Sequence, residues 1–282
     1  MRKSLIIFAM AALVLCAASC KKNNTNTKKI ESVGYSENGT VKKLLTFHWS
    51  EDQLDSLGVC YLGDSNGYPF EYFTYQNGRV ASSTFGDHDS DYYTTEYTYD
   101  GDKIVKISSR INFEWLDYFN ITYAFEYQGD HISRILYTQE SARNGMDTTG
   151  FTYYSLCTWE GDNLVKEESG SMVDGVAGPV TEIQSYTYDN NINPYYKEGF
   201  MDFVTMFNPK PVLEKAFLCP HNILSTTVFK ADRTGAVADT VSASTFSYTY
   251  DEDGYPTAGQ YIRRDIESNE TVSYSLAFEY VK

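Results

Sequence analysis

The chain has 282 residues and a formal charge of −15, from 38 acidic and 23 basic side chains. That balance argues against nucleic acid and an anionic membrane surface as partners. The length suits one large all-β domain or two small ones, and the 25 tyrosines fit a fold with many half-buried strands.

Residues 1–20 read as a lipoprotein signal peptide rather than part of the fold. Arg2 and Lys3 start it, and Leu5 to Leu15 form an apolar run too short to span a bilayer. Ala17-Ala18-Ser19-Cys20 has the form of a lipobox, after which Cys20 becomes the mature N-terminus and carries lipid. Residues 21–29 are polar and lysine-rich, as expected of a flexible tether. Residues 30–282 read as a single all-β domain, because one hairpin phrase recurs from residue 35 to residue 255 without a linker-like break.

In chain order, Val33 to Trp49 predicts a hairpin around Asn38-Gly39. Residues 50–68 read as an acidic loop with one short strand. Tyr72 to Phe85 turns at Asn77-Gly78, and Tyr92 to Phe113 turns at Gly101-Asp102. Thr122 to Tyr137 turns at Gly129-Asp130, and the next hairpin turns at Gly161-Asp162. Glycine and asparagine reach positive φ cheaply, which a two-residue hairpin turn requires. Counting outward from the turns, Tyr75 faces Val80, Tyr99 faces Ile104, Tyr127 faces Ile132 and Trp159 faces Leu164. Asp100 faces Lys103, a carboxylate opposite an ammonium. Each such pair is worth about 0.2–1 kcal/mol.

Looser versions of the phrase are Tyr35 to Gly39, Tyr188 to Asn191 and Tyr250 to Gly254. Most anchors recur about every 30 residues, the mark of a repeated supersecondary unit. Asp174-Gly175 is another turn, followed by a strand over Ile183 to Tyr188. The alternation then breaks. Over residues 198–218 the apolar positions fall three and four apart, which predicts a helical insert able to plug or cap the sheet. Strands resume near Ile223 and run to Val281. The expected fold is an antiparallel meander of 14–16 strands, rolled or closed like a barrel, with aromatics on the hidden face. The opposite face carries Thr98, Thr122, Thr187, Ser247 and Thr249, which argues against a membrane-spanning barrel.

The chemistry-bearing residues form no catalytic pattern. His48, His88, His131 and His221 have no metal-ligand spacing. Asp87, Asp89 and Asp91 begin like a calcium loop, but Tyr92 and Thr98 occupy the positions that need Gly and Glu. Glu167 and Glu168, as sequence neighbours on a strand, point to opposite faces. Cys60, Cys157 and Cys219 permit at most one disulfide, with the pair left open. The reading is therefore non-enzymatic, with no catalytic residue, no metal and no cofactor. Trp49, Trp115 and Trp159 are aromatic candidates for gripping a partner, with Trp159 expected in the core.

The lipobox ending at Cys20, the Tyr-x-Tyr-Asp-Gly turns, and Asn193-Pro194 followed by His221-Asn222-Ile223 resemble a family of uncharacterised Bacteroidetes-type lipoproteins. Its domain of unknown function is described as porin-like. The turns are also similar to the Tyr-Asp repeats of Rhs-type shell proteins. The first resemblance implies an outer-membrane lipoprotein, periplasm-facing or surface-exposed, attached through lipid on Cys20. The functional expectation is a binding module for a glycan, peptide or envelope protein. The alternatives are a carrier of an apolar ligand inside a rolled sheet and, more weakly, a glycoside hydrolase-like enzyme.

Overall fold

A computed structural model describes residues 28–61, 70–86, 91–111, 118–142, 149–196 and 218–281. The strands are β1 (Ile30–Glu37), β2 (Thr40–Ser50), β3 (Gln53–Tyr61), β4 (Phe70–Gln76), β5 (Arg79–Gly86), β6 (Asp91–Asp100), β7 (Lys103–Ile111), β8 (Tyr118–Gln128) and β9 (His131–Ala142). They continue with β10 (Thr149–Glu160), β11 (Asn163–Val173), β12 (Val176–Ala177), β13 (Glu182–Ile192), β14 (His221–Ala231), β15 (Val237–Tyr250), β16 (Pro256–Asp265) and β17 (Thr271–Tyr280). Each wall strand pairs antiparallel with the next, β11 passes directly to β13, and β17 returns to β1. The result is a closed 16-strand barrel, with β12 as one extra strand lying on β11. Closure removes every sheet edge.

The predicted hairpin registers are the observed ones. Tyr75 pairs with Val80, Tyr99 with Ile104, Tyr127 with Ile132 and Trp159 with Leu164. Residues 53–61, expected mostly as loop, form the full strand β3. Asp189 to Asn191, expected as a turn, continue β13. The predicted insert falls almost wholly on residues 197–217, outside the described residues; only Leu218 of it is seen.

A bulge follows the tight turns at the end that carries Glu51-Asp52, Asn77-Gly78, Gly101-Asp102, Gly129-Asp130 and Gly161-Asp162. Thr98 pairs with Lys106 while Tyr99 pairs with Ile104, so Val105 is extra. Asp55, Ala81, Ser133 and Val165 hold the same place in their hairpins. A bulge inserts one residue and bends the strand. Inward positions in the return strands therefore fall three apart across it: Val80 and Ser83, Ile104 and Ile107, Ile132 and Ile135, Leu164 and Glu167.

The hidden face is the inside. Val33, Leu45, Phe73, Tyr97, Ile107, Phe125, Leu164, Tyr186, Phe246 and Phe278 belong to one buried cluster on the lumen wall. Burying each such side chain is worth about 1.5–3 kcal/mol. Outward positions carry the polar residues. Thr98, Thr187, Ser247 and Thr249 are exposed. Hydroxyl pairs run across the outer wall, as in Thr138 with Thr152 at 3.2 Å and Thr187 with Ser225 at 2.7 Å. A lipid-facing wall needs an apolar band about 25 Å tall; this described wall is mostly threonine, serine and charge, with Tyr72, Leu156 and Ile262 exposed among them.

Candidate functional site

The two ends of the barrel differ. The turn end carries Glu51-Asp52, Asn77-Gly78, Gly101-Asp102, Gly129-Asp130, Gly161-Asp162 and the 251–255 turn. It also carries both ends of the described chain and both roots of the 197–217 segment. The far end carries the connections between β3 and β4, β5 and β6, β7 and β8, and β9 and β10, which lie mostly outside the described residues.

The turn end is closed by a ring of hydrogen bonds. Each hairpin's anchor aromatic donates to the backbone carbonyl just before the bulge of the preceding return strand. Tyr75 Oη reaches Leu54 O, Tyr99 Oη reaches Val80 O and Tyr127 Oη reaches Ile104 O, each at 2.9 Å. Trp159 Nε1 reaches Ile132 O and Tyr188 Oη reaches Leu164 O, both at 2.7 Å. Tyr280 Oη meets Pro256 O at 2.8 Å, and Trp49 Nε1 meets Ile30 O at 2.6 Å. The sequence shows the aromatics, but these contacts lie between hairpins, so counting within one hairpin cannot find them.

A second ring lies outside the first. The first residue of a return strand crosses to the next turn and covers its aromatic. Lys103 lies 3.3 Å from Asp130 and 5.1 Å from the Tyr127 ring centre. The Lys103 ammonium thus meets the next hairpin's Asp130, which corrects the expected contact with Asp100, although the backbone register of that pair holds. Arg79 bonds Asp102 and lies over Tyr99. His131 stacks on Trp159 at 4.8 Å and lies 3.3 Å from Asp162. Exposed pairs of this kind contribute about 0–1 kcal/mol each.

The motif Asn193-Pro194 and His221-Asn222 holds the roots of the 197–217 segment together. Asn193 Nδ2 donates to Cys219 O at 2.8 Å, and Asn193 Oδ1 accepts from Tyr195 N at 3.0 Å. Asp189 accepts from the Asn191 and Asn222 amides and from Tyr250 Oη. Tyr250 thereby leaves the carbonyl ring that the other anchors join. Tyr195 turns into the barrel against Phe47 and Phe278, 6.5 and 6.4 Å between ring centres. Burial pushes the Tyr188 and Tyr195 hydroxyls well above the usual tyrosine range, with Cys219 adding at Tyr188 and Tyr35 at Tyr195. Beside the roots is a cavity of about 300 Å³ lined by Lys28, Asn191, Tyr196, His221 and Tyr255.

Toward the far end the lumen face keeps its aromatics but loses its cover. Tyr123 packs edge-on to Tyr137 at 5.2 Å. Tyr137 touches Phe151 and Tyr153, which meet each other at 5.2 Å. Phe151 is 44% exposed and Tyr153 46%, against 6% for Phe125 nearer the turn end on the same face. Gln139, Ser155, Ser169 and Ser171 share this face; Gln139 Oε1 accepts from Tyr137 Oη at 3.0 Å. Burial, then Tyr153, raises the Tyr137 hydroxyl above its ordinary value.

The remaining sequence candidates are scattered. Glu167 points inward, 5% exposed, and accepts from Tyr186 Oη at 2.8 Å, while Glu168 points outward to Lys166 at 2.9 Å. Glu71 is a second buried carboxylate, bonded by Ser83 Oγ at 2.6 Å. Sequence reading passed over it, although alternation with Phe73 and Tyr75 assigns it to the inner face. Trp159, expected in the core, is half-buried and packs against the core cluster. Cys157 faces the lumen, and Cys219 Sγ accepts from Leu164 N at 3.3 Å. Trp115, His88, Asp87 and Asp89 lie outside the described residues, as does the side chain of Cys60. Among the described residues no three His, Cys, Asp or Glu side chains group to hold a metal.

No protein-family model matches the sequence, and no curated protein matches it. Solved structures do match. A porin-like protein from Bacteroides vulgatus aligns with a TM-score of 0.53 and 11% identity, covering 90% of this chain and 99% of that one. A porin-like protein from Bacteroides uniformis aligns at 0.50 and 12%, covering 91% and 98%. At these identities the likeness is one of fold, and it is the porin-like fold that the sequence resemblance implied.

Proposed function

We propose that this chain is a non-enzymatic binding module of the bacterial outer membrane, held by lipid on Cys20, and that its ligand enters the far end of the barrel. The lipobox and the porin-like relatives from Bacteroides support the envelope setting. The polar outer wall supports attachment by a lipid rather than by a spanning barrel. One observation carries the site: Phe151 and Tyr153 are nearly half exposed on a face whose other described aromatics are buried or half-buried. Barrel mouths are common ligand sites. Exposed rings beside Gln139, Ser155, Ser169 and Ser171 offer stacking and neutral hydrogen bonds together, the combination that sugar rings use. A glycan is therefore the favoured ligand among glycan, peptide and partner protein.

The test is calorimetric titration of the chain lacking residues 1–20 with a panel of envelope and dietary oligosaccharides. A binder should lose roughly tenfold or more in affinity in the Phe151→Ala, Tyr153→Ala double variant, since each aromatic contact is worth about 0.5–1.5 kcal/mol. Equal affinity in the variant contradicts the site. The apolar lumen wall favours a second reading, a carrier of an apolar ligand. Lipid found by mass spectrometry of the purified native protein would select it.

A further inference from the structure

We infer that the barrel is suspended from the bilayer by its turn end, so that the far end faces away from the anchoring membrane. The inference rests on the proposed lipid attachment and adds its geometry.

The first observation is where the chain enters the barrel. Ile30 pairs with Tyr280, and Lys29 O accepts from Val281 N at 2.9 Å. Lys28 is held by Asp251 at 2.8 Å and Asp253 at 2.7 Å, and its backbone amide donates to Tyr255 Oη at 3.2 Å. Lys29 is held by Asp52 at 2.7 Å and lies over the Trp49 ring. Both lysines are thus fixed at the turn-end rim, and the chain toward Cys20 leaves from there.

The second observation is length. Eight peptide steps separate Cys20 from Lys28. Eight steps can reach at most about 28 Å. Strands of 10–12 residues, such as β8, β9 and β16, tilted as in other barrels, make a wall about 25–30 Å high. The tether would have to stretch along the entire wall to lay the far end on the bilayer.

The third observation is charge. The turn tips facing the membrane carry Asp52, Asp102, Asp130 and Asp162, whose side chains are 98, 93, 96 and 75% exposed. Each lies against a basic side chain, Lys29, Arg79, Lys103 or His131, so the rim offers alternating charge rather than a basic patch that would draw it flat onto anionic headgroups. The turn end therefore stays within reach of the bilayer, and a ligand of the aromatic mouth arrives from the aqueous side rather than from the leaflet that holds Cys20.

The test uses the full-length lipidated protein in phosphatidylethanolamine–phosphatidylglycerol vesicles containing an acceptor-labelled lipid. A donor dye is attached through an encoded azide side chain at Glu160, on the turn end, or at Arg233, in the far-end turn between β14 and β15. Energy transfer should be several-fold greater from position 160 than from position 233. Equal transfer means the barrel lies on its side, and greater transfer from 233 means it is inverted; either overturns the orientation. Flotation of the same samples examines the attachment separately. If the native protein fails to float, or the Cys20→Ala protein floats equally well, the lipid reading fails instead.

Discussion

Replacing Tyr99 by phenylalanine isolates the bond that ties one hairpin to the next. The change removes the hydroxyl that donates to Val80 O at 2.9 Å and keeps the ring that packs on the core and lies 5.5 Å from the Arg79 guanidinium. Burial, against a smaller opposing pull from Arg79, raises the Tyr99 hydroxyl above its usual value, so the donor stays protonated at neutral pH. The net worth of such a bond is about 0.5–1.5 kcal/mol, and stranding a buried carbonyl costs about 1–3 kcal/mol. Val80 is 5% exposed, so a loss of about 1–2 kcal/mol is expected. For a domain of this size that lowers Tm by roughly 3–6 °C. Urea unfolding should show a lower midpoint at unchanged slope. The comparison is Tyr153→Phe at the exposed far end, expected to stay within about 0.5 kcal/mol. If Tyr99→Phe unfolds like Tyr153→Phe, the carbonyl ring does not hold the hairpins together.

Two further changes test other parts of the account. Asn193→Ala removes two hydrogen bonds at a residue only 4% exposed and should cost about 2–4 kcal/mol in urea unfolding, whereas an exposed asparagine such as Asn190 should be near neutral. Asp251 gives a pH signature. Burial works to raise its carboxyl, but Lys28 and the backbone amides of Tyr255 and Asp253 outweigh burial and hold it below its ordinary 3.8. A depressed carboxylate stabilises the fold above the unfolded value and loses that contribution as pH falls through the folded value. Asp251→Asn should therefore be less stable than the native chain at neutral pH, with the gap closing as pH falls below the ordinary carboxylate value of 3.8. A gap that persists in acid would mean the carboxylate charge is not the cause.

Local order was legible in the sequence, and closure stood there as one of two forms, a rolled sheet or a closed barrel. Asn77-Gly78 and Gly101-Asp102 set their registers because a two-residue turn leaves one way to pair its flanks. Glu51-Asp52 was missed as a turn because it lacks a glycine; the structure places Glu51 itself at φ 52°. The extra residues Ala81, Val105 and Ser133 are ordinary strand formers, so nothing in their identity marks a bulge. The pairing of β1 with β17 joins residues almost 250 positions apart and follows from burying an aromatic face without leaving an edge. Asn193 and Asn222 stood out as a motif, but their role in joining the segment roots depends on Cys219 O and Ile192 O, backbone acceptors that no side-chain pattern reveals. The exposure of Phe151 and Tyr153 was hidden because the same alternation runs along buried and uncovered parts of the lumen wall.

The polarity of the wall is the central claim, and one measurement addresses it most directly. The chain without residues 1–20 should be prepared in detergent-free buffer and mixed with vesicles of the same two phospholipids. Sedimentation and flotation then report its state. An apolar inside and a polar outside predict a folded protein that stays in solution and does not float. A protein that aggregates until detergent is supplied, or that enters the vesicles and resists alkaline extraction, would show that the wall faces lipid.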